Sequence, residues 1–579
     1  MTVRTTCPYC GVGCGVLATV DPDGAVTVKG DPDHPANFGR LCSKGSALGE
    51  TVNTDGRLFH PKIGDRTVSW DEALAQVADR FVATVRDYGP DSVAFYVSGQ
   101  ITTEDYYVAN KLMKGFIGSA NIDTNSRLCM ASSVAGHRRA FGSDTVPGSY
   151  EDLEQADLIV LVGSNIAWCH PVLYQRIAAA RKNRPDLKVA LIDPRRTMTA
   201  DIADLHLAIR PDGDVSLFLG LLRYLADHDK LDLDYIESHT NGFEEALEAC
   251  GHAPVAVAAA TGLSQDELQR FYALFAGAEK TVTVYSQGVN QSVVGTDKVN
   301  AIINCHLATG RIGRPGMGPF SVTGQPNAMG GREVGGLANM LAAHMDIENP
   351  AHRDTVGRFW SAPTIADRAG LKAVDMFRAV ADGRIKAIWI MATNPVDSMP
   401  DADGVAAALE ACPFVVVSDV IAETDTTRLA DVRLPSLAWG EKDGTVTNSE
   451  RRISRQRTFL EGPGEARADW WQMAEIAKRM GFGHAFDWSG PAEIFSEYAA
   501  LTAFENNGVR DLDIGAYAGI DPDAYNSLKP FQWPQPAGVS PISSRFFANG
   551  GFFTPDRKAR FIAVKTPAKP VEQESYPFV

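Results

Sequence analysis

Four cysteines stand before residue 43, and their spacing is the most chemically specific feature of the sequence. Cys7, Cys10, Cys14 and Cys42 form C-x2-C-x3-C-x27-C, three thiolates from one glycine-rich loop and a fourth from a separate turn. Gly11, Gly13 and Gly15 let the backbone bend until three sulfurs face one centre, with amide N–H groups turned toward inorganic sulfide. Structural zinc sites usually join two well-separated Cys pairs, whereas a triplet plus a distant single suits a [4Fe-4S] cubane. Lys44, two residues past Cys42, reads on spacing alone as a solvated lysine. Cys129 closes the polar stretch NIDTNSRLC, where a lone cysteine is usually a small core residue; a metal role needs other support. Cys169, Cys250, Cys305 and Cys412 are isolated in apolar or helical contexts and read as core.

The elements that must position such groups follow from periodicity. After residue 57 the chain alternates apolar strand, small polar turn and amphipathic helix, the pattern of parallel α/β units. Residues 92–97 run into Ser98-Gly99-Gln100, residues 157–162 into Gly163-Ser164-Asn165, residues 281–285 into Ser286-Gln287-Gly288, and residues 386–391 into Ala392-Thr393-Asn394. Further strands are expected at 188–192, closed by Asp193, and at 414–417, closed by Ser418-Asp419. Ligands of open α/β sheets bind at the carboxyl ends of strands, so these turns are expected to line crevices for two nucleotides. No G-x-G-x-x-G is present, and each turn taken singly is more often structural; their recurrence is what favours a ligand role. The stretch 324–336, GQPNAMGGREVGG with the cation Arg332, is either a surface loop or a wall approached closely by ligand. Residues 441–452 read as a hairpin or loop, and the tail after Pro534 has a linker's Pro, Gly and Ser content.

Length and composition bound the rest. The 579 residues amount to about four domains' worth of chain, with 45% hydrophobic and 22% charged residues, as in globular proteins. The net charge of −16 argues against nucleic-acid binding. No apolar run approaches the roughly 18 residues of a membrane span; 158–162 and 255–260 are strand- or core-sized. The N-terminus shows no secretory leader pattern, and nine cysteines, four crowded at one end, fit a reducing compartment, so a cytoplasmic location is expected.

Taken in order, the leader with GRLCSKG, then NSRLCMAS, GSNIAWCHP, IDPRRT, TGQPNAMGGREVGG, MATNP and GTVTNSERR resemble the bacterial molybdopterin oxidoreductases over essentially the whole chain. Among these, the sequence is most similar to the cytoplasmic assimilatory nitrate reductase catalytic subunits. The resemblance implies molybdenum held by two pterin guanine dinucleotides, with Cys129 as thiolate ligand, Lys44 between cluster and pterin, and Arg332 in the substrate funnel. Cofactor contacts are implied for Gln100, Asn125, Gly163, Ser164, Asn165, His170, Pro171, Asp193, Pro194, Arg195, Asp212, Gly213 and Asp214. Gln287, Gln291, Asn394, Ser418, Asp419, Lys442 and Asp469 complete that set. The implied reaction is oxygen-atom transfer from nitrate, yielding nitrite and water, with two electrons arriving singly through the cluster together with two protons. The electron donor would be a ferredoxin, a flavodoxin or an NADH-using flavoprotein subunit.

Two other assignments are open at this level. Formate dehydrogenases of the same superfamily typically place a histidine directly after the metal-binding residue, where this chain has Met130. A non-catalytic electron-transfer subunit keeps the fold without pterin or metal, which the presence of Cys129 and the dinucleotide turns opposes. The implied fold is α/β. A small iron-sulfur domain spans 1–56, and one Rossmann-like parallel-sheet domain spans 57–139 and 321–435. A second such domain, 140–320, is inserted in the first, and 436–579 supply contact loops and a linker. Family members continue into a C-terminal barrel-like domain, which is absent from the 579 residues, so weak cofactor retention and little activity are expected of the isolated chain.

Overall fold

The computed structural model describes residues 1–251, 254–539 and 545–566. The chain divides into two compact units, the first comprising Met1–Cys129, Cys169–Gln175 and Val322–Ser544 and the second Met130–Trp168, Arg176–Ser321 and Arg545–Val579.

The first unit opens with a three-stranded antiparallel sheet, Thr2–Thr6, Gly15–Val20 and Val26–Gly30, whose first hairpin connection carries Cys7, Cys10 and Cys14. Its main sheet has seven strands in the order Arg66–Thr67, Lys62–Ile63, Val432–Pro435, Val415–Asp419, Ala387–Met391, Val93–Val97, Ile122–Thr124. The last five are mutually parallel, and in chain order they lie 2-1-3-4-5 from the Ile122–Thr124 end. VAFYV, AIWIM and VVVSD are buried along their whole length, which is why the first two, and the third up to Ser418, read as continuous apolar runs rather than alternating ones. Helices Ala373–Ala381 and Ala402–Ala411 cover one face, packing on Ala94, Tyr96, Ile388, Ile390, Val415 and Val417. After the Val93–Val97 strand a capping box of Thr102 and Asp105 starts the helix Thr103–Asn110, which continues as a π-helical turn, Lys111–Ile117.

The second unit is built on five parallel strands in the order Leu205–Leu207, Lys188–Ile192, Leu158–Val162, Thr281–Tyr285, Gly318–Ser321. In chain order this is 3-2-1-4-5, with the topological reversal between Leu158–Val162 and Thr281–Tyr285. The apolar run 255–260 lies on the helix Pro254–Thr261. The expectation of a linker after Pro534 is corrected here. Phe547, Phe552 and Phe561 are buried in this unit's core, and Ala559–Arg560 pairs in parallel with Thr240–Asn241. The turn-rich composition masked a segment whose phenylalanines drive it into the core. The final stretch, PVEQESYPFV, lies outside the described residues.

Candidate functional site

The four leader cysteines line one enclosed cavity together with Tyr9, Val12, Leu41, Lys44, Gly45 and Pro171. The loop is closed at its neck, where Cys7 N–H donates to Cys14 O at 2.9 Å, and turned inside by Gly13 at φ 65°, whose N–H donates to Cys10 O. A Cβ on Gly11 would stand 2.3 Å from Thr323 O, so this loop needs glycine to lie against that carbonyl. Asn448 Nδ2 donates to Val12 O and Ser449 N–H to Gly11 O; these two residues lie at the turn of the hairpin Gly444–Thr447 and Arg452–Gln456. The fourth cysteine caps a helical turn, its sulfur accepting the N–H of Gly45. Burial pushes the Cys7 thiol up to about 12 and Cys10 to about 11, neighbouring thiols adding and Lys44 opposing; burial likewise carries Cys14 well above the ordinary thiol range. Metal binding here must therefore release protons. Among the described residues no group of three or more His, Cys, Asp or Glu side chains is gathered closely enough to hold a single ion. Four sulfurs around a cavity suit a cluster that brings its own iron and sulfide, not one zinc.

At the carboxyl edge of the first unit's sheet a crevice of about 280 Å³ is lined by Pro8, Gln100, Thr393, Asn394, Asp419, Trp439, Lys442 and Asp469, among others. It sits at the reversal of the 2-1-3-4-5 order, between the ends of Val93–Val97 and Ala387–Met391, where open α/β sheets bind ligand. Five of the sequence-expected contacts meet there. Asn125 bridges the two strand ends, accepting from Gly99 N–H and donating to Ser98 Oγ and Thr393 Oγ1. Ser418 is fully buried between Trp389 and Gln472, so it supports the crevice from beneath. The rim 436–442 is fixed by a buried bidentate pair, Arg57 with Glu441 at 2.9 and 2.8 Å, while Ala438 N–H donates to the same carboxylate. Burial and the adjacent Asp105 push Asp469 up to about 7, Lys442 opposing. Asp419 is raised by burial.

Cys129 is half-buried near the start of the helix Arg127–Phe141, just before a break in helical geometry at Met130. Burial raises the thiol of Cys169, with Lys44 opposing and Cys129 adding, and Cys169 in turn raises Cys10. One electrostatic neighbourhood thus holds leader thiol, Lys44, Cys169 and Cys129. Cys169 is exposed, which corrects its reading as core. Its position directly before His170-Pro171 in GSNIAWCHP was the available signal. His170 donates Nε2–H to Thr323 O, is held neutral by burial with its pKa lowered to about 4, and has Nδ1 buried without a hydrogen-bond partner among the described residues. Pro171 begins the next helix and lines the thiol cavity. Arg332 is 2% exposed on the helix Ala328–Glu333, its guanidinium donating to Ala328 O.

In the second unit the turns after Leu158–Val162 and Thr281–Tyr285 meet back to back at the reversal of the 3-2-1-4-5 order. Gly288 N–H donates to Gly163 O at 2.9 Å, and a Cβ on Gly163, at φ 51°, would stand 2.7 Å from Gly288 Cα. Ser164 Oγ is buried with no hydrogen-bond partner among the described residues, an acceptor and donor a ligand would satisfy. Asn165 accepts from Thr199 Oγ1; Asp193 accepts from Arg195 N–H; and the Arg195 guanidinium lies 5.7 Å from the Trp168 ring centre, with Pro194 exposed between. Asp212 and Asp214 flank Gly213 and share the ammonium of Lys298 at 2.8 and 2.9 Å, a cation that sequence reasoning missed because it lies on the remote helix Gly295–Ala308. Gln287 begins a short helical turn just past the strand end, and Gln291 caps it.

Residues 57–479 match the family model described as molybdopterin oxidoreductase, and residues 1–54 match that of the molybdopterin oxidoreductase Fe4S4 domain. The chain belongs to the molybdopterin oxidoreductases. It is 53% identical to a nitrate reductase of Klebsiella oxytoca, covering 100% of this chain and 66% of that one. It is 49% identical to a nitrate reductase of Shewanella frigidimarina, covering 99% and 62%. An assimilatory nitrate reductase of Haloferax mediterranei is 37% identical over 96% of this chain and 77% of its own. The chain thus spans slightly less than two thirds of the first two relatives. Acetylene hydratase from Pelobacter acetylenicus has the same fold, with a TM-score of 0.76 at 20% identity over 96% of this chain and 77% of that one. As a molybdopterin oxidoreductase the chain carries donor sets that fit the family's groups, soft thiols for the metals and strand-end polar turns for the pterins. Among the described residues no helix is long and apolar enough to cross a membrane.

Proposed function

We propose that this chain is the cluster- and pterin-binding part of a nitrate reductase that reduces nitrate to nitrite. The observation that carries the reading is the 53% identity, across the whole chain, to a protein of that activity. Cys7, Cys10, Cys14 and Cys42 would hold a [4Fe-4S] cluster, and Cys129 the molybdenum. Gln100, Asn125, Asn394, Asp419, Lys442 and Asp469 would hold one pterin guanine dinucleotide. The other would be held by Gly163 to Asn165, Asp193 to Arg195, Asp212 to Asp214, Gln287 and Gln291, and His170 and Pro171 are proposed as further cofactor contacts in the first unit. When bound, the molybdenum cofactor supplies the two-electron chemistry that accepts an oxygen atom from nitrate.

The chain's own residues bind and orient. Strand-end N–H groups and hydroxyls receive the dinucleotides, and buried Lys298 holds Asp212 and Asp214 in place. Lys44 sets a positive charge beside the cluster thiols, favouring the reduced, more negative cluster. Arg332 supplies a cation for an anionic substrate on a chain of net charge −16. Its fully buried neighbour Glu333 is anchored by Thr447 Oγ1, Tyr498 OH and Trp533 Nε1. We assign a cytoplasmic, assimilatory role with a separate electron donor, a ferredoxin, flavodoxin or flavoprotein. Reduced methyl viologen offered with nitrate, and separately oxidised benzyl viologen offered with formate, on protein of measured iron and molybdenum content, test the reading. Nitrate turnover, slow in the isolated chain, is expected; turnover of formate alone would overturn the reading. Cell fractionation checks the location.

A further inference from the structure

The segment that follows Arg332 and Glu333 is gripped from two sides. Lys114 is fully buried in the π-helical turn Lys111–Ile117. Its ammonium donates to the carbonyls of Gly335, Leu337 (3.0 Å) and Met340 (2.8 Å) and to Asn110 Oδ1 (2.9 Å). A lysine here does what a bound cation would do, drawing three carbonyls of an irregular loop onto one charge. On the other side stands Asp123, fully buried on the edge strand Ile122–Thr124. It takes the Arg127 guanidinium bidentately, at 3.0 and 3.1 Å, and also accepts the N–H groups of Ala338 (3.2 Å) and Ala373 (2.8 Å). Arg127 spends its remaining reach on Asn339 Oδ1, at 2.9 Å.

Arg127 is therefore shared between two parts of the site. It opens the helix on which Cys129 lies two residues later, and it binds the loop that leaves the Arg332 helix. We infer that Arg127, through Asp123 and Asn339, is a positioning residue that fixes Cys129 relative to the Arg332 segment, with Lys114 holding the same loop from its other side. The inference rests on the proposed assignment of Cys129 as the molybdenum ligand. Its chemistry is that of an outer partner orienting a ligand's backbone, where losses of about ten- to hundredfold in activity or metal affinity are typical. The planar fork is essential. Lysine at 127 keeps the charge, but its single nitrogen cannot present the flat pair of donors to the carboxylate and reach Asn339 in the same geometry.

The test compares the metal-loaded protein with its R127K, R127M, N339A and K114M variants, reading molybdenum content, melting temperature, and the Mo(V) electron paramagnetic resonance spectrum. The expected result is a shifted or broadened Mo(V) spectrum in R127M, a similar change in R127K, and a smaller one in N339A. Turnover should fall about tenfold or more in R127M. A Mo(V) spectrum unchanged in all four variants, with only the melting temperature lowered, would overturn the inference and leave the Cys129 assignment standing. Wild-type protein carrying iron but no molybdenum would remove that assignment and the inference with it. If R127M does not fold, N339A, which deletes one acceptor at the loop, decides the matter on the same spectrum.

Discussion

The two parallel sheets reach the same end by different means. In the second unit the reversal point is shaped by backbone against backbone, Gly163 on Gly288, with no side chain between them. In the first unit the corresponding turn is held by side chains from far along the sequence. Asn125 spans both strand ends, Gln325 Oε1 fills the space over Gly99 and accepts from Ser126 Oγ, and Asn327 ties Ile101 O to Thr447 N–H. The difference teaches where each crevice is fragile. One depends on the absence of a Cβ, the other on a polar network whose members are each replaceable at a graded cost.

The largest expected effect lies in the first unit's network. Glu441→Ala leaves the buried Arg57 guanidinium without its partner and should destabilise the chain by about 3–5 kcal/mol, read by denaturant unfolding. Next comes the direct contrast of glycines. Gly163→Ala meets backbone atoms at positive φ and should cost about 2–4 kcal/mol. Gly99→Ala meets the side chain of Gln325 and should cost about 1–2 kcal/mol less. Equal losses at the two positions would erase the distinction between the sheets. Asn125→Ala removes the three hydrogen bonds that join the strand ends, and a longer one from Thr124 Oγ1, and should cost about 1–2 kcal/mol.

The remaining effect is a pH slope. Asp469 has a folded-state pKa raised to about 7, against about 3.9 unfolded. It contributes stability below about pH 4 that is lost as pH rises through about 7. In the cofactor-free chain, Asp469→Asn should therefore raise the melting temperature more at pH 8 than at pH 5. A gain that is the same at both values would show that Asp469 does not ionise in this range.

Much of the fold was legible. Residues 158–162, 188–192, 281–285 and 387–391 are apolar because both faces of each strand are covered, and the small polar turns at their ends mark the crevice edges. The stretch 441–452 was legible as a hairpin or loop, although its turn lies at 448–451 and not at Asp443-Gly444, where the first strand begins, and the leader cavity was legible in cysteine spacing. What was not legible is long-range. Lys298 with Asp212, Arg57 with Glu441, and Asn339 with Arg127 are separated by 80 residues or more, and no local pattern marks either partner. The tail was misread because its Pro, Gly and Ser content hid Phe547, Phe552 and Phe561, whose partners are core residues of the second unit. Cys169 was misread because an apolar context suggests burial, whereas it lies exposed at the end of a four-residue helical turn.

On the proposed cofactor assignment, each sheet's reversal point receives one pterin nucleotide. Acid hydrolysis of the purified, molybdenum-containing protein, with guanine nucleotide and molybdenum counted together, tests it most directly. One nucleotide per reversal point predicts about two guanine nucleotides released per molybdenum. Release of none, or of about one, would contradict the account.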